Sequence, residues 1–272
     1  MAADLHIHST ASDGQLTPAD IVAKAASLGL TAISLTDHDT IDGLKEAKTA
    51  GLSYGIQVIP GIELSAQYLD LDVHILGYFI QYKQGVLRDE LKKIRTSRHQ
   101  RAVAILRRLR LLGMPLSWDQ VRSYVTGDVV GRPHIARALV EAGYVPSVQA
   151  AFDNYLEHGC PAYVPRYKLT VQQAIDLIHS SKGAAVLAHP GLLPGLRYLG
   201  TLLKFNWQGI EVYHPDHTPK KVAILEHIAA KIGLISTGGS DFHGSNCTGS
   251  RDLGSCVVDC IVVEQLKKTC QF

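Results

Sequence analysis

The first 80 residues alternate between short apolar strands and amphipathic helices, and this alternation constrains the fold more than any other feature. Strand-like runs near 3–8, 31–40 and 56–65 are separated by two helical segments. The first of these segments has a capping Thr17 followed by Pro18, which is typical of a helix start. A strand–helix order repeated in this way predicts a parallel sheet or barrel with its helices outside.

The alternation stops at about residue 83 and resumes near 166. The intervening stretch predicts several helices and no strand. A chain of 272 residues is long enough for one large α/β domain with an insertion. We therefore expect one barrel-like domain formed by residues 1–82 and 166–272, interrupted by a helical insertion at residues 83–165.

Charge is distributed unevenly along the chain. Residues 88–110 contain nine Lys or Arg and two acidic residues. Because the whole chain has a net charge of only +2, the remaining residues together carry a net negative charge. Apolar residues within this segment follow helical spacing, which predicts an amphipathic helix. Its basic face is either ordinary solvated surface or an electrostatic footprint for a phosphate-rich ligand.

Targeting signals are not evident, and we expect a cytoplasmic location. The chain starts on a strand-like segment without the pattern of a signal peptide, and it contains no apolar run of 18 residues or more. Its five cysteines form an odd set without CxxC spacing, which favours reduced thiols over a disulfide framework or a zinc ribbon. No membrane association and no obligate protein partner are indicated.

Almost every predicted strand leads into histidine or carboxylate residues. His6 and His8 project from the same face of the first strand, because residues two apart in a strand point the same way. The third strand is expected to end in Glu63, and the fourth carries His74 near its start. Because active sites of α/β barrels lie at the C-terminal ends of the strands, these side chains should converge. The candidate ligands are His6, His8, Asp13, His38, Glu63, His74, His189, Asp241 and His243.

Nine candidate ligands are too many for one ion. A catalytic zinc needs three protein ligands, so this number suits two or three ions, especially if Glu63 bridges two of them. Mixed histidine and carboxylate donors favour Mn, Fe or Zn over Mg or Ca. Taken singly, His74 could be a buried core histidine and Asp13 could cap a turn. Taken together, the set predicts a metal centre.

The motifs "DLHIHSTASDG", "LTDHDT", "GIELS", "VHILGY", "LAHPG" and "GGSDFHG" resemble those of the PHP (polymerase and histidinol phosphatase) superfamily. The resemblance implies a distorted (β/α)7 TIM-like barrel with a three-metal centre. It assigns one ion to His6, His8, Glu63 and Asp241, a second to Glu63, His74 and His189, and a third to Asp13, His38 and His243.

The helical insertion resembles that of one subgroup within the family. Its stretches "VVGRPHIARALVEAGY" and "AYVPRYKLT" are similar to stand-alone PHP proteins that act as 3′,5′-nucleoside bisphosphate phosphatases and 5′→3′ exoribonucleases. Carried over, this similarity implies substrate-phosphate contacts from Arg132, His134, Arg166 and Lys168. The planar guanidinium of arginine independently suits phosphate, because it donates two parallel hydrogen bonds. His214 is a weaker candidate for a substrate contact. The remaining histidines are expected at the surface: His99, His158, His179, His217 and His227.

The expected reaction is metal-assisted hydrolysis of a phosphate ester. The substrate would be a nucleoside 3′,5′-bisphosphate or a short 5′-phosphorylated RNA. Glu63 is assigned a catalytic role as a bridging ligand. A metal-bound water, Asp13 or His214 could protonate the leaving alcohol. Histidinol-phosphate phosphatase or another small phosphomonoesterase is the alternative. The sequence lacks a GxSxG motif, which agrees with a reaction that needs no serine nucleophile.

Overall fold

The computed structural model describes residues 1–83, 85–125, 130–165, 167–244 and 251–270, with Leu196 described by its backbone alone. The chain divides into two compact units, one formed by Met1–Asp89 with Leu169–Phe272 and the other by Glu90–Lys168. No helix within the described ranges is long and apolar enough to cross a membrane.

The first unit is built on a nearly closed, barrel-like sheet. The strands are β1 (Ala2–Ile7), β2 (Ala32–Leu35), β3 (Gln57–Tyr68), β4 (Leu71–Tyr78), β5 (Leu169–Thr170), β6 (Ala184–Leu187), β7 (Gly209–Tyr213), β8 (Ile235–Gly238) and β9 (Val258–Asp259). Their order is β8-β7-β6-β4-β3-β2-β1-β9, with β5 paired to β3. Ile7 forms a further parallel bridge with Phe242, just beyond β8, so the two sides of the sheet meet. This architecture confirms the predicted barrel.

Strand β4 runs against its neighbours. Strands β1, β2 and β3 are parallel, as are β6, β7 and β8, whereas β4 is antiparallel to both β3 and β6. A tight turn at Leu69 and Asp70 reverses the chain, and Leu69 adopts a positive φ of 54° there. The start of β4 therefore lies at the same edge of the sheet as the ends of the parallel strands.

The expectation that the third strand ends at Glu63 was wrong. Strand β3 continues to Tyr68 because residues Gly61–Tyr68 pair in unbroken register with β4. Only its first part, Gln57–Pro60, pairs with β2. Glu63 lies just beyond that part, where a single bridge joins it to His38.

Helices follow most strands, as the alternation predicts. They are α1 (Pro18–Ser27), α2 (Leu44–Tyr54), α3 (Val86–Leu111), α4 (Trp118–Arg122), α5 (Arg132–Glu141), α6 (Val148–Ala151), α7 (Val171–Ser180), α8 (Leu196–Leu202), α9 (Pro219–Ile232) and α10 (Cys260–Thr269). A π-helix spans Phe152–Leu156 and a 3₁₀-helix spans Pro190–Leu192. Helix α1 begins as predicted, because Thr17 accepts a hydrogen bond from the backbone N–H of Asp20.

Each unit has its own apolar core. In the first unit, small and branched residues from the strands pack with Val263 and Leu266 of α10. In the second unit, the apolar stripe of α3 that includes Ala102, Ile105 and Leu109 is buried against α4–α6. The stripe has the helical spacing seen in the sequence, so the basic residues of α3 occupy its other faces.

Candidate metal centre

The end of β1 forms the floor of the site. All of Ala3–Ile7 is buried, and so are His6 and His8. Asp4 lies on the same face and accepts backbone hydrogen bonds from Ser240 and Gly254, each at 2.9 Å. These bonds hold the segment that follows β8 against β1, which brings Asp241 to the two histidines.

The first donor set consists of His6, His8, Glu63 and Asp241. Both histidine Nε2 atoms lie 3.1 Å apart, and each lies 3.2–3.3 Å from Oε2 of Glu63. Oδ1 of Asp241 completes the set, 3.4 Å from His6 Nε2 and 3.2 Å from His8 Nε2. The four atoms thus surround a single point from three segments of the chain: the end of β1, β3 and the stretch after β8.

A second donor set meets the other oxygen of Glu63. Oε1 lies 3.0 Å from Nδ1 of His74 and 3.2 Å from Nε2 of His189. His74 can reach this oxygen because β4 is antiparallel to β3. The start of β4 therefore lies at the edge of the sheet where the parallel strands end. The two carboxylate oxygens of Glu63 therefore face different groups of ligands, as a bridging carboxylate requires.

A third donor set lies around Asp13, on the loop after β1. Its Oδ1 atom is 3.5 Å from Nε2 of His243 and 3.7 Å from Nδ1 of His8, and its Oδ2 atom is 3.9 Å from Nε2 of His38. His8 thus presents one ring nitrogen to the first set and the other to the third. Asp13 is the most exposed ligand candidate of the three sets, with 54% of its side chain accessible.

The donor atoms fit a metal centre. Nδ1 of His8, Nδ1 of His38 and Oε2 of Glu63 are buried and make no hydrogen bond within the described residues, although the last two atoms are only 3.0 Å apart. Buried polar atoms left without partners are costly, because such groups are normally hydrogen-bonded. Cations between the donors would satisfy them. The donors are imidazoles and carboxylates, which suit Mn, Fe or Zn.

The protonation states of His38, Glu63 and Asp241 agree with metal ligation. Burial lowers the pKa of His38 to about 3, so its imidazole is neutral, the form that binds metal. Burial would raise the pKa of Glu63, but the surrounding histidines, chiefly His38 and His74, hold it well below its usual range. His6 and His214 similarly hold the pKa of Asp241 below its usual range.

Glu211 orients two of the ligands from behind. It is fully buried in the middle of β7, its Oε1 lies 3.0 Å from Nδ1 of His6, and its Oε2 accepts a 2.7 Å hydrogen bond from the backbone N–H of His189. A carboxylate on the far nitrogen of a metal-binding histidine fixes the ring and its tautomer. The sequence placed Glu211 at a strand end but gave it no role.

Comparisons with known proteins agree with this geometry. A model of the PHP domain matches residues 4–183, which is well over half of the chain. The chain belongs to the PHP domain family. It is 35% identical to the 5′-3′ exoribonuclease Rnm of Salmonella typhimurium, over 88% of this chain and 84% of that protein. It is also 35% identical to a 3′,5′-nucleoside bisphosphate phosphatase of Chromobacterium violaceum, over 92% and 90% of the two chains.

A solved structure supports the same assignment. A protein of Bifidobacterium adolescentis, described as a metal-dependent phosphoesterase, superposes with a TM-score of 0.83 and 30% sequence identity. The superposition covers 98% of this chain and 96% of that one. The resemblance read from the motifs is therefore confirmed, and it extends through both units of this PHP protein.

His214 lies beside the metal centre, where its ring faces the candidate ligand Asp241. It is buried, and its Nε2 atom lies 3.4 Å from Oδ2 of Asp241. Its Nδ1 atom accepts a hydrogen bond from the backbone N–H of Asp216, so the neutral ring carries its proton on Nε2. Sequence reasoning missed Arg251, which donates to Oδ2 of Asp241 at 2.6 Å and also pairs with Asp216. No motif in the sequence signals this arginine.

The predicted phosphate-binding residues lie in the second unit or at its end. Arg132 begins α5, donates a 3.0 Å hydrogen bond to the carbonyl of Leu156 and lies over the ring of Phe152. His134 accepts a hydrogen bond from the backbone N–H of Gly131. Lys168 is half-buried, and Arg166 lies outside the described residues.

One expected surface histidine is buried. His217 is 7% exposed, its Nδ1 atom lies 2.8 Å from the carbonyl of Val212, and its Nε2 atom accepts from the N–H of Gly191. The expectation failed because the turn after β7 folds back over the 3₁₀-helix. His217 thereby supports the segment that follows His189.

Three of the six described non-glycine residues with a positive φ lie at the metal centre. Asp39, His189 and Asp241 adopt positive φ values of 52°, 26° and 50°. Such conformations cost about 1–3 kcal/mol each and persist where the surroundings enforce them, commonly at active sites. Here Asp39 is held by Ser65, whose backbone N–H donates to its Oδ1 at 2.9 Å.

Proposed function

We propose that this protein is a metal-dependent phosphoesterase that removes the 3′-phosphate of nucleoside 3′,5′-bisphosphates and degrades 5′-phosphorylated RNA from its 5′ end. The observation that carries the proposal is the convergence of six histidines on the two oxygens of Glu63 and the carboxylate of Asp13, with Asp241 beside His6 and His8. Relatives named for these two activities each share 35% of aligned residues over most of both chains.

The ligand sets suit two or three divalent transition-metal ions. Mn is the first choice, with Fe and Zn as alternatives, since imidazole and carboxylate donors accept all three. When bound, such ions lower the pKa of a water molecule and neutralise charge on the phosphoryl oxygens. The first set would be His6, His8, Glu63 and Asp241. The second would be Glu63, His74 and His189, and the third Asp13, His38 and His243.

The chain itself supplies orientation and a proton. Glu211 fixes His6, and Arg251 binds Oδ2 of Asp241 so that Oδ1 faces the histidines. Nε2 of His214 lies at the edge of the first donor set, 3.4 Å from Oδ2 of Asp241, and this position makes His214 a candidate for protonating the leaving oxygen. Asp13 is the second candidate for this role. A side chain that delivers this proton acts as a general acid.

Substrate recognition is assigned to the second unit. Arg132, His134, Arg166 and Lys168 would bind the phosphate that is not cleaved, because arginine and lysine donate charge-assisted hydrogen bonds to phosphate oxygens. We further propose that the enzyme acts in the cytoplasm, without membrane association and without an obligate protein partner.

A substrate panel tests the proposal. Hydrolysis of adenosine 3′,5′-bisphosphate, a 5′-phosphorylated oligoribonucleotide and histidinol phosphate is measured with Mn-loaded protein. We expect the two nucleotide substrates to be preferred, with products that retain the 5′-phosphate of the mononucleotide. Preference for histidinol phosphate would instead support the alternative, a small phosphomonoesterase.

A further inference from the structure

The second unit carries a groove that none of the proposed catalytic residues lines. Its volume is about 560 Å³, and it lies between one face of α3 and the start of α4. The walls include His99, Arg107 and Arg110 on one side and Trp118 on the other. Ligand pockets in proteins are commonly of this size.

Two arginines of the groove are available to a ligand. Arg107 and Arg110 are exposed, and they make no side-chain hydrogen bond or ion pair within the part of the chain that the structure describes. They are three residues apart in one helix, so their side chains leave the same face. Two other arginines of α3 instead donate hydrogen bonds to backbone carbonyls of the second unit. Arg101 donates a 2.6 Å hydrogen bond to the carbonyl of Val164, and Arg108 donates to the carbonyl of Tyr163.

Trp118 supplies an aromatic surface beside these charges. It is partly exposed at the first position of α4, and its ring meets the ring of His99 edge to face with centroids 4.4 Å apart. Val103 and Leu106 line the groove between them. A flat, partly exposed ring with an apolar floor is a surface on which a planar base can stack.

The charge of the unit favours an anionic occupant. Residues 90–168 contain 13 Lys or Arg and six Asp or Glu. A polyanion is attracted to such a surface at long range, and free arginines next to an aromatic ring match the phosphates and bases of a single strand. An acidic peptide would use the charge but not the ring.

We propose that this groove binds single-stranded RNA, with a base stacked on Trp118 and neighbouring phosphates held by Arg107 and Arg110. The inference rests on the proposed function, because it concerns the RNA that this function degrades. It assigns RNA binding to a surface made within the second unit, in addition to the metal centre.

The test is direct RNA binding by the full-length, Mn-loaded protein. The probe is a phosphorothioate-linked, single-stranded oligoribonucleotide of about ten nucleotides, a length within the site sizes of single-strand binders. Tryptophan fluorescence and the anisotropy of an end label are followed together. The chain has two tryptophans, and the other one, Trp207, is 6% exposed. Quenching that disappears in Trp118→Phe is therefore assigned to the groove.

The variants have distinct expected effects. Trp118→Ala should weaken binding roughly 5- to 100-fold, and Trp118→Phe should restore most of it, because stacking needs a ring. Arg107→Ala with Arg110→Ala should weaken binding and lower the salt slope by about 1.4, at about 0.7 per phosphate contact. The matched control is Lys92→Ala with Arg137→Ala, which removes the same charge at exposed positions that do not line the groove.

The proposal is overturned if the groove variants bind RNA as tightly as the unaltered protein, or if the control pair loses as much binding as the arginine pair. Equal affinity for polyglutamate would also overturn it, since that result would mean a general anion surface. If Trp118→Ala does not fold, the proposal is judged on the RNA affinity of the Arg107→Ala with Arg110→Ala variant against that of the control pair. The proposed function fails separately, when the unaltered protein hydrolyses no nucleotide while Trp118 still reports bound RNA.

Discussion

At the scale of the residue, Glu63 organises the centre. It is 1% exposed, and its two oxygens are within 3.0–3.3 Å of five histidines: His6, His8, His38, His74 and His189. The sequence predicted these residue types as ligands, since each follows or begins a strand. It could not divide them between the two oxygens, because that depends on side-chain directions set by the whole barrel.

Glu211 offers a test of ligand orientation. Glu211→Gln keeps the shape but replaces one acceptor oxygen with an N–H₂ donor, so it cannot serve both His6 and the N–H of His189. We expect metal affinity to fall about 10- to 100-fold, as is typical when a group behind a ligand is changed. Metal titration of the refolded variant measures this. Unaltered affinity would mean that His6 is oriented without Glu211.

Metal binding should release protons. Although burial opposes its charge, the nearby carboxylates of Asp241 and Glu63 raise the pKa of His8 in the metal-free protein to about 10. Because a ligand imidazole must be neutral, we expect loading at pH 7 to release about one proton for this group, and affinity to rise with pH. Calorimetry in two buffers of different ionisation enthalpy checks it. Heats that do not depend on the buffer would contradict this protonation state.

Arg132 separates substrate recognition from chemistry. Arg132→Ala should lower kcat/KM for a nucleoside 3′,5′-bisphosphate roughly 10- to 100-fold, from a lost charge-assisted hydrogen bond of about 1.5–3 kcal/mol. A small activated monoester, which has no second phosphate, should be little affected. Arg137→Ala, an exposed change in the same helix, is the control. Equal losses on both substrates would instead assign Arg132 to holding Leu156 and Phe152.

At the scale of the element, strand direction assembles the site. The alternation of strands and helices predicted the parallel strands and α1, since periodicity and caps are local signals. It did not predict that β4 is antiparallel, that β3 continues to Tyr68, or that α10 packs on the barrel core. Those features depend on pairing between distant segments, which local patterns do not encode. The position of His74 near a strand start is explained only by the reversal.

Gly239 tests the junction between β1 and the segment after β8. A Cβ atom at Gly239 would overlap the backbone N and the Cβ of His6, and backbone atoms cannot move aside cheaply. Gly239→Ala should cost about 1–3 kcal/mol of stability and displace Asp241 from the histidines, lowering metal content as well. Gly200→Ala is the control, because its Cβ meets nothing within 4 Å inside α8. Thermal unfolding with metal analysis measures both, and an unchanged Gly239 variant would contradict the close junction.

At the scale of the whole molecule, each of the two units has an apolar core of its own. The ligands are carried by a barrel whose strands are buried on both faces, so the fold does not depend on the ions in the way that a zinc finger does. We therefore expect chelation to abolish hydrolysis while the far-ultraviolet circular dichroism stays nearly unchanged. Loss of most secondary structure on chelation would contradict this independence.

The central claim is that Glu63 joins at least two metal ions in one phosphoesterase site, and metal content tests it most directly. Unaltered protein saturated with Mn should hold two or three ions per chain, because its donor sets exceed the needs of one. Glu63→Gln should hold at least one ion fewer and lose activity by a factor of roughly 100 or more, since a neutral amide cannot hold two cations together. A single ion in the unaltered protein, or full occupancy with near-normal turnover in the variant, would contradict the account.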